Sequence, residues 1–170
     1  MSALQQTLVI LKPDTVKRWI VGEVITRFEK VWLHLVAMKM VWMDDALAYG
    51  HYETIGTVKS RHGENIYNVN AEYMKSGPVI AMVWEWVESI ALVRKMVGST
   101  EPKSAAPGTI RWDYNHLSYG YVDAKNGRLT NIVHASATPE EATQEVALRF
   151  AGNEIHDHEM EATLYKRGHK

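Results

Sequence analysis

The stretch Asn131-Ile132-Val133-His134-Ala135-Ser136, followed by Ala137 and then Thr138-Pro139-Glu140-Glu141, decides how this chain folds. A short apolar strand ends, and a helix begins almost at once. Thr138 and Glu141 have the spacing of a capping box, and Pro139 suits the first helical position, where its missing N–H costs nothing. The same hand-over from strand to helix recurs upstream. Val79 to Trp84 reads as a buried strand. Glu88 to Val97 then reads as a helix, with Gly98 as its stop. Thr7 to Leu11 reads as a buried strand that stops at Lys12-Pro13-Asp14. Ile20, Val21, Val24, Ile25 and Phe28 follow at helical spacing.

Between these units, Leu33 to Met43 is apolar and β-compatible, and Asp44 or Asp45 can cap a helix through about Glu53. Thr54 to Glu64 reads as a loop. Ile66, Tyr67, Tyr73 and Met74 predict a further helix closed by Ser76-Gly77-Pro78. Ser99 to Asn115 has no periodicity and reads as a long loop of the kind that carries function or assembly. Asn126-Gly127 predicts a hairpin inserted at about 115–130. The tail, about 152–170, is polar and reads as irregular. The element order predicts an α+β fold, a small ferredoxin-like antiparallel sheet with helices packed on one face. With no internal repeat and no linker, residues 1–170 form a single domain in this reading.

Bulk properties narrow the function. The chain has 170 residues, is 46% hydrophobic and 23% charged, and carries a formal net charge of −1. That composition is globular. A near-zero charge with no basic stripe argues against nucleic acid as partner. An anionic ligand must therefore be held by a few placed cations. The absence of cysteine removes disulfides and thiolate metal sites. The polar start lacks the pattern of a secretory signal, and no apolar stretch approaches membrane-spanning length, so cytoplasm is the expected compartment.

The chemistry centres on His134. A neutral imidazole is a nucleophile near neutral pH, and Glu145, two turns into the following helix, is spaced to orient it. Lys12 ends the first strand, Arg94 lies on the helix after the third strand, Thr100 and Arg111 bracket the long loop, and Asn131 is three residues before His134. Each alone reads as a solvated charge or a strand-edge residue. Together they form a phosphate-binding set, because charge spread over phosphate oxygens calls for several fixed donors.

The runs Thr7-Leu-Val-Ile-Leu-Lys-Pro-Asp14, Val21-Gly-Glu-Val-Ile-Thr-Arg-Phe-Glu29, Val36-Ala-Met-Lys-Met40, Ser76-Gly-Pro-Val-Ile-Ala-Met-Val83, Pro107-Gly-Thr-Ile-Arg111 and Asn131-Ile-Val-His-Ala-Ser136 extend this reading. In their order the chain resembles the nucleoside diphosphate kinase family over nearly its whole length. The resemblance implies a two-step exchange. A nucleoside triphosphate gives its terminal phosphoryl group to His134, and a nucleoside diphosphate then takes it, with Mg²⁺ bridging phosphate oxygens. It implies Lys12 and Asn131 at the ribose, and Arg94, Thr100 and Arg111 at the phosphates. Tyr52 would stand beside the phosphoryl path, and Ser136 and Glu145 behind His134. It also implies a dimer formed through the second strand, and a hexamer built with the long loop. The alternative is an impaired nucleotide-binding or assembly module of the same fold.

The chain departs from the family in places. The base-stacking Phe is missing, and Ile66 and Tyr67 are the candidates for its role. Ala137 stands where the family has an acidic residue. Trp19, Trp32, Trp86 and Trp112 stand where family members typically have Gly. We take these four as the signature of a genome in which UGA encodes glycine, here read as tryptophan; the codons decide it. His156-Asp157-His158 reads as a solvated tail rather than a metal site.

Overall fold

The computed structural model describes residues 4–54, 63–125 and 127–158. Strand β1 (Leu4–Leu11) is central, β2 spans His34–Val41, β3 spans Val79–Val87, and β4 is the short segment Val133–Ala135. The sheet order is β2-β3-β1-β4, and every neighbouring pair is antiparallel. This is the ferredoxin-like order. The helices are α1 (Pro13–Lys17), α2 (Val21–Glu29), α3 (Asp45–Thr54), α4 (Glu64–Lys75) and α5 (Ser89–Val97). Three more follow: α6 (Ile110–Tyr114), α7 (Tyr119–Ala124) and α8 (Pro139–Arg149).

Helices cover both faces of the sheet, not one. Leu8 and Ile10 face a core shared with α3, α4 and α8 through Ala48, Ala71, Met74 and Val146. Val9 and Leu11 face a second core shared with α2 and α5 through Val24, Phe28, Val93 and Val97. Successive residues of a strand point to opposite faces, so the unbroken apolar runs of β1 and β3 are the mark of a sheet buried on both sides.

Three further expectations are corrected. The stretch from Ser99 to Asn115 holds a 3₁₀ turn (Pro102–Ser104) and α6. Five residues are too few for a hydrophobic period to show. Instead α6 is pinned by Arg27 of α2, whose guanidinium pairs with Asp113 at 2.5 Å and also donates to the Gly108 carbonyl. In place of the inserted hairpin stands α7. Ser118 caps it by accepting from the Tyr121 N–H, and the Gly127 N–H closes it on the Val122 carbonyl. Asn126 lies outside the described residues, as do 55–62 of the expected loop and the tail from 159. The capping box of α8 is also displaced by one residue. Thr138 Oγ1 accepts from the Glu141 N–H, but the Glu141 carboxylate accepts from the Ala137 N–H.

Two of the four tryptophans occupy glycine geometry. Trp19 and Trp32 have φ of 58° and 67°. After α1, Trp19 N–H bonds to the Val16 carbonyl and Ile20 N–H to that of Thr15. After α2, Trp32 N–H bonds to Glu29 and Leu33 N–H to Phe28. Both are Schellman closures, whose left-handed residue is usually Gly. Trp86 and Trp112 lie in β3 and α6 and have no such backbone.

Candidate functional site

β4 runs beside β1 with His134 opposite Ile10. His134 is held by a chain of polar contacts. Its Nε2 lies 3.1 and 3.0 Å from the two oxygens of Glu145. The Ser136 hydroxyl donates to Glu145 Oε2 at 2.6 Å and accepts from the Leu8 N–H at 3.1 Å. Glu145 and Ser136 are fully buried, whereas the imidazole is half-buried. A carboxylate takes the proton side of a ring, so Nε2 carries the hydrogen and Nδ1 keeps a lone pair.

Around it stand the cations. Lys12 Nζ donates to Asn131 Oδ1 at 2.7 Å, and Asn131 Nδ2 donates to the Thr100 carbonyl at 2.9 Å. Burial, followed by the Arg111 charge, brings the Lys12 ammonium down to about 8, against the opposing pull of Asp14. Arg111 is buried and gives three of its donors to the carbonyls of Asn131, Gly98 and Val133. Burial and then Arg94 bring it down to about 10. Two of its five N–H groups remain for a ligand. Arg94 reaches the Ala135 carbonyl only at 3.4 Å. Gly98, with φ of 85°, allows this close packing, since a Cβ there would meet Thr109 Oγ1 at 2.6 Å.

Two residues that shape the site carry no local signal of their role. Ile132 has φ of 69° and is fully buried, a costly backbone for a β-branched residue. It is fastened on both sides. Its N–H donates to Asp14 Oδ2 at 3.1 Å, and its carbonyl accepts from the Lys12 N–H at 2.9 Å and from the Thr15 hydroxyl. That kink turns Asn131 toward Lys12. The other unforeseen residue is His51, whose ring meets His134 edge-on at 4.6 Å between centroids. Burial, then His134, Arg149 and Lys12, hold His51 well below the usual imidazole range, so it stays neutral. The resemblance points to Tyr52 alone on α3 and says nothing of His51.

The remaining candidates divide. Tyr52 is buried in the core beside His51, and burial raises its phenol. Tyr67 is also buried, and its hydroxyl bonds Glu53 at 2.9 Å. Ile66 is 47% exposed. Thr100 is exposed, and only its carbonyl is engaged with Asn131. In the tail, His158 Nε2 lies 2.8 Å from His34 Nε2. Among the described residues no group of three or more ligating side chains is arranged for a metal. A groove of about 560 Å³ lies elsewhere, between β1 and α8, and none of the candidate residues lines it. Convergent polar groups, not that apolar groove, mark the site.

A nucleophile with a free ring nitrogen, an oriented carboxylate and a cluster of cations suits phosphoryl transfer. Residues 5–155 match the family model for nucleoside diphosphate kinase. The nucleoside diphosphate kinase of Borreliella burgdorferi is 44% identical over 152 residues, covering 89% of this chain and 90% of that one. The Pyrococcus furiosus enzyme is 42% identical over 170 residues, covering 100% and 98%. Among solved structures, the Borrelia burgdorferi nucleoside-diphosphate kinase, a transition-state mimic with bound vanadate and ADP, superposes with a TM-score of 0.90 at 41% identity, covering 95% of this chain and 96% of that one. The Halobacterium salinarum enzyme in complex with CDP gives 0.80 at 32%, covering 96% and 98%. The chain belongs to the nucleoside diphosphate kinase family of phosphotransferases.

Proposed function

We propose that this chain moves the terminal phosphoryl group of a nucleoside triphosphate to a nucleoside diphosphate by way of His134. The observation that carries the reading is the bond from His134 Nε2 to Glu145, which leaves Nδ1 as the attacking atom. The Nδ1 lone pair forms a bond to the γ-phosphorus, the bond to the bridging oxygen breaks, and the diphosphate departs with that electron pair. A second diphosphate then attacks the same phosphorus, and the N–P electrons return to the ring. The Nε2 proton stays with the imidazole throughout, its developing charge offset by Glu145.

Lys12 and Asn131 take the ribose hydroxyls, and Lys12 also reaches the transferring group. Arg94, Arg111 and Thr100 hold the phosphates. Tyr52 stands beside the phosphoryl path, with His51 between it and His134. Ile66 packs the base, since Tyr67 is committed to the core. Mg²⁺ fits as a partner of the nucleotide's own oxygens, where it neutralises phosphate charge. Ala137 offers no carboxylate to its water shell, and the described residues form no protein cage for it. Among them no helix is long and apolar enough to cross a membrane, and we assign the reaction to the cytoplasm.

We also infer a dimer through β2, with a hexamer as the larger assembly. Strand β2 is a sheet edge, and Met38 and Met40 on it and Trp42 just beyond its end are 54, 61 and 67% exposed. An open apolar edge of that kind calls for a cover. Light scattering that returns a monomer overturns the dimer. The reaction itself is tested by intact-protein mass. ATP adds a phosphoryl group that a diphosphate acceptor removes, and His134→Ala shows no adduct. An adduct on the His134→Ala protein overturns the assignment.

A further inference from the structure

Helix α8 buries one face, made of Ala142, Glu145, Val146 and Arg149. Two of those side chains carry opposite charges and stand one turn apart, at i and i+4, a spacing that puts Cβ atoms about 5–6 Å from each other. Glu145 is taken up by His134 and Ser136. Arg149 is left with little. It is 7% exposed, yet among the described residues only its Nη2 is engaged, with the Leu47 carbonyl of α3 at 3.0 Å, and its Nε is buried with no partner. No carboxylate there lies within ion-pair distance of it. A buried cation bonded this sparsely is costly unless a charge at longer range offsets it. Burial brings the guanidinium down to about 10, against the pull of Glu145 first, then Tyr52 and Asp44, so it stays charged at neutral pH.

That cation bears on His134. A carboxylate touching an imidazole favours the imidazolium. An imidazolium has hydrogen on both nitrogens, and Nδ1 then has no lone pair for phosphorus. Glu145 therefore orients the ring and at the same time draws a second proton to it. A positive charge beside Glu145 opposes that proton. The other groups facing the pair do not replace it. From α3 come His51, held neutral, and Tyr52, whose phenol is raised by burial. β4 adds only the Ser136 hydroxyl. Lys12 at the end of β1, Arg94 on α5 and Arg111 on α6 are cations, but in the kinase reading they meet the phosphates, whose charge cancels theirs once nucleotide is bound. Arg149 is tied to α3 and stands outside that set.

Resting on the reading of His134 as nucleophile, we propose that Arg149 is a positioning residue for the reaction. Acting through Glu145, its charge keeps the His134 ring neutral, with Nδ1 unprotonated, while a nucleotide occupies the site.

The test compares Arg149→Met and Arg149→Lys with the parent in the full chain. Thermal unfolding confirms that the variants fold. The rate of phosphoryl adduct formation from ATP is followed from about pH 5 to about 9, the range in which an imidazole titrates. In Arg149→Met the acid limb is expected to move up by about one pH unit, the usual size of a nearby unit charge's effect, with the rate above the limb as in the parent. Arg149→Lys keeps the charge and holds the limb in place. An unmoved limb in folded Arg149→Met overturns the proposal. So does an equal loss of rate at every pH, which would make Arg149 a structural support only. A second measurement needs no variant. Nitrogen NMR of the ring in the ADP complex of the parent chain is expected to show neutral His134 at pH 7, and an imidazolium there also overturns the proposal. The ring is read without turnover, so this failure is distinct from that of the kinase reading, which shows as an absent adduct on the unmutated chain.

Discussion

Ile132 and the two residues Trp19 and Trp32 share an uncommon backbone, with φ of 69°, 58° and 67°, yet their surroundings are opposite. Ile132 is fully buried, its amide is held by Asp14, and its carbonyl is held by Lys12 and Thr15. Trp19 and Trp32 are 92% and 59% exposed at helix ends, where glycine is the usual residue. Left-handed geometry costs a non-glycine residue roughly 1–2 kcal/mol wherever it occurs. At Ile132 the surrounding bonds over-determine the strain, and the result is an Asn131 turned toward Lys12. At the helix ends the strain organises no comparable site.

Glycine substitution separates Ile132 from the two tryptophans most clearly. Ile132→Gly relieves the backbone but deletes a side chain packed among Val9, Leu11 and Ile110. The cavity outweighs the relief, and the protein loses about 2–4 kcal/mol of stability. Denaturant unfolding measures it. A stabilised Ile132→Gly protein would mean that the two kinds of positive φ do not differ.

Much of this contrast was hidden in the sequence. The strands, the capped helix after His134 and the set Lys12, Arg94, Arg111, Asn131, His134 and Glu145 are legible because each rests on a local pattern or an ordered run. Gly98 is legible as a helix stop for the same reason. Helices α6 and α7 are too short to show a period and are fixed by Arg27 and Ser118. The kink at Ile132 leaves no trace in residue type, since a β-branched residue argues against it. Nor does apolar spacing reveal that His51 meets His134, because α3 has to be docked on the sheet before the two rings face each other. The Trp substitutions are the reverse case. They are visible as departures from glycine, and the backbone then separates Trp19 and Trp32 from Trp86 and Trp112.

The strained loop also sets the charge state of its neighbour. With its own N–H bonded to the Ile132 carbonyl, Lys12 is kept near Arg111, and burial with that charge brings the ammonium from 10.5 to about 8. An anionic ligand favours the protonated amine. As pH rises through about 8, nucleotide binding must therefore take up a proton, and KM should climb by up to about tenfold per pH unit. For folding the sign is opposite. Between about 8 and 10.5 the unfolded chain binds the extra proton, so this group adds stability as pH rises. Lys12→Arg keeps its charge and should lose the alkaline limb of KM. Persistence of that limb in the Lys12→Arg protein would assign it to another group.

The smallest effect is the most diagnostic of origin. Trp19→Gly and Trp32→Gly should each raise stability by about 1 kcal/mol, with no change in phosphoryl transfer. Trp→Ala at the same positions separates two causes. Alanine removes the exposed ring but keeps the Cβ that strains the left-handed backbone, so it should recover little of the gain. If alanine stabilises as much as glycine, the rings rather than the backbone are at fault. Trp112→Gly should behave differently, because α6 asks for ordinary helical geometry and glycine there costs about 0.5–1 kcal/mol. Backbone demand alone therefore accounts for two of the four departures. Codon reassignment would account for all four, including the pair that the backbone does not require. UGA at all four codons joins the sites under one cause, whereas UGG at Trp19 and Trp32 makes their strain a feature of the natural chain.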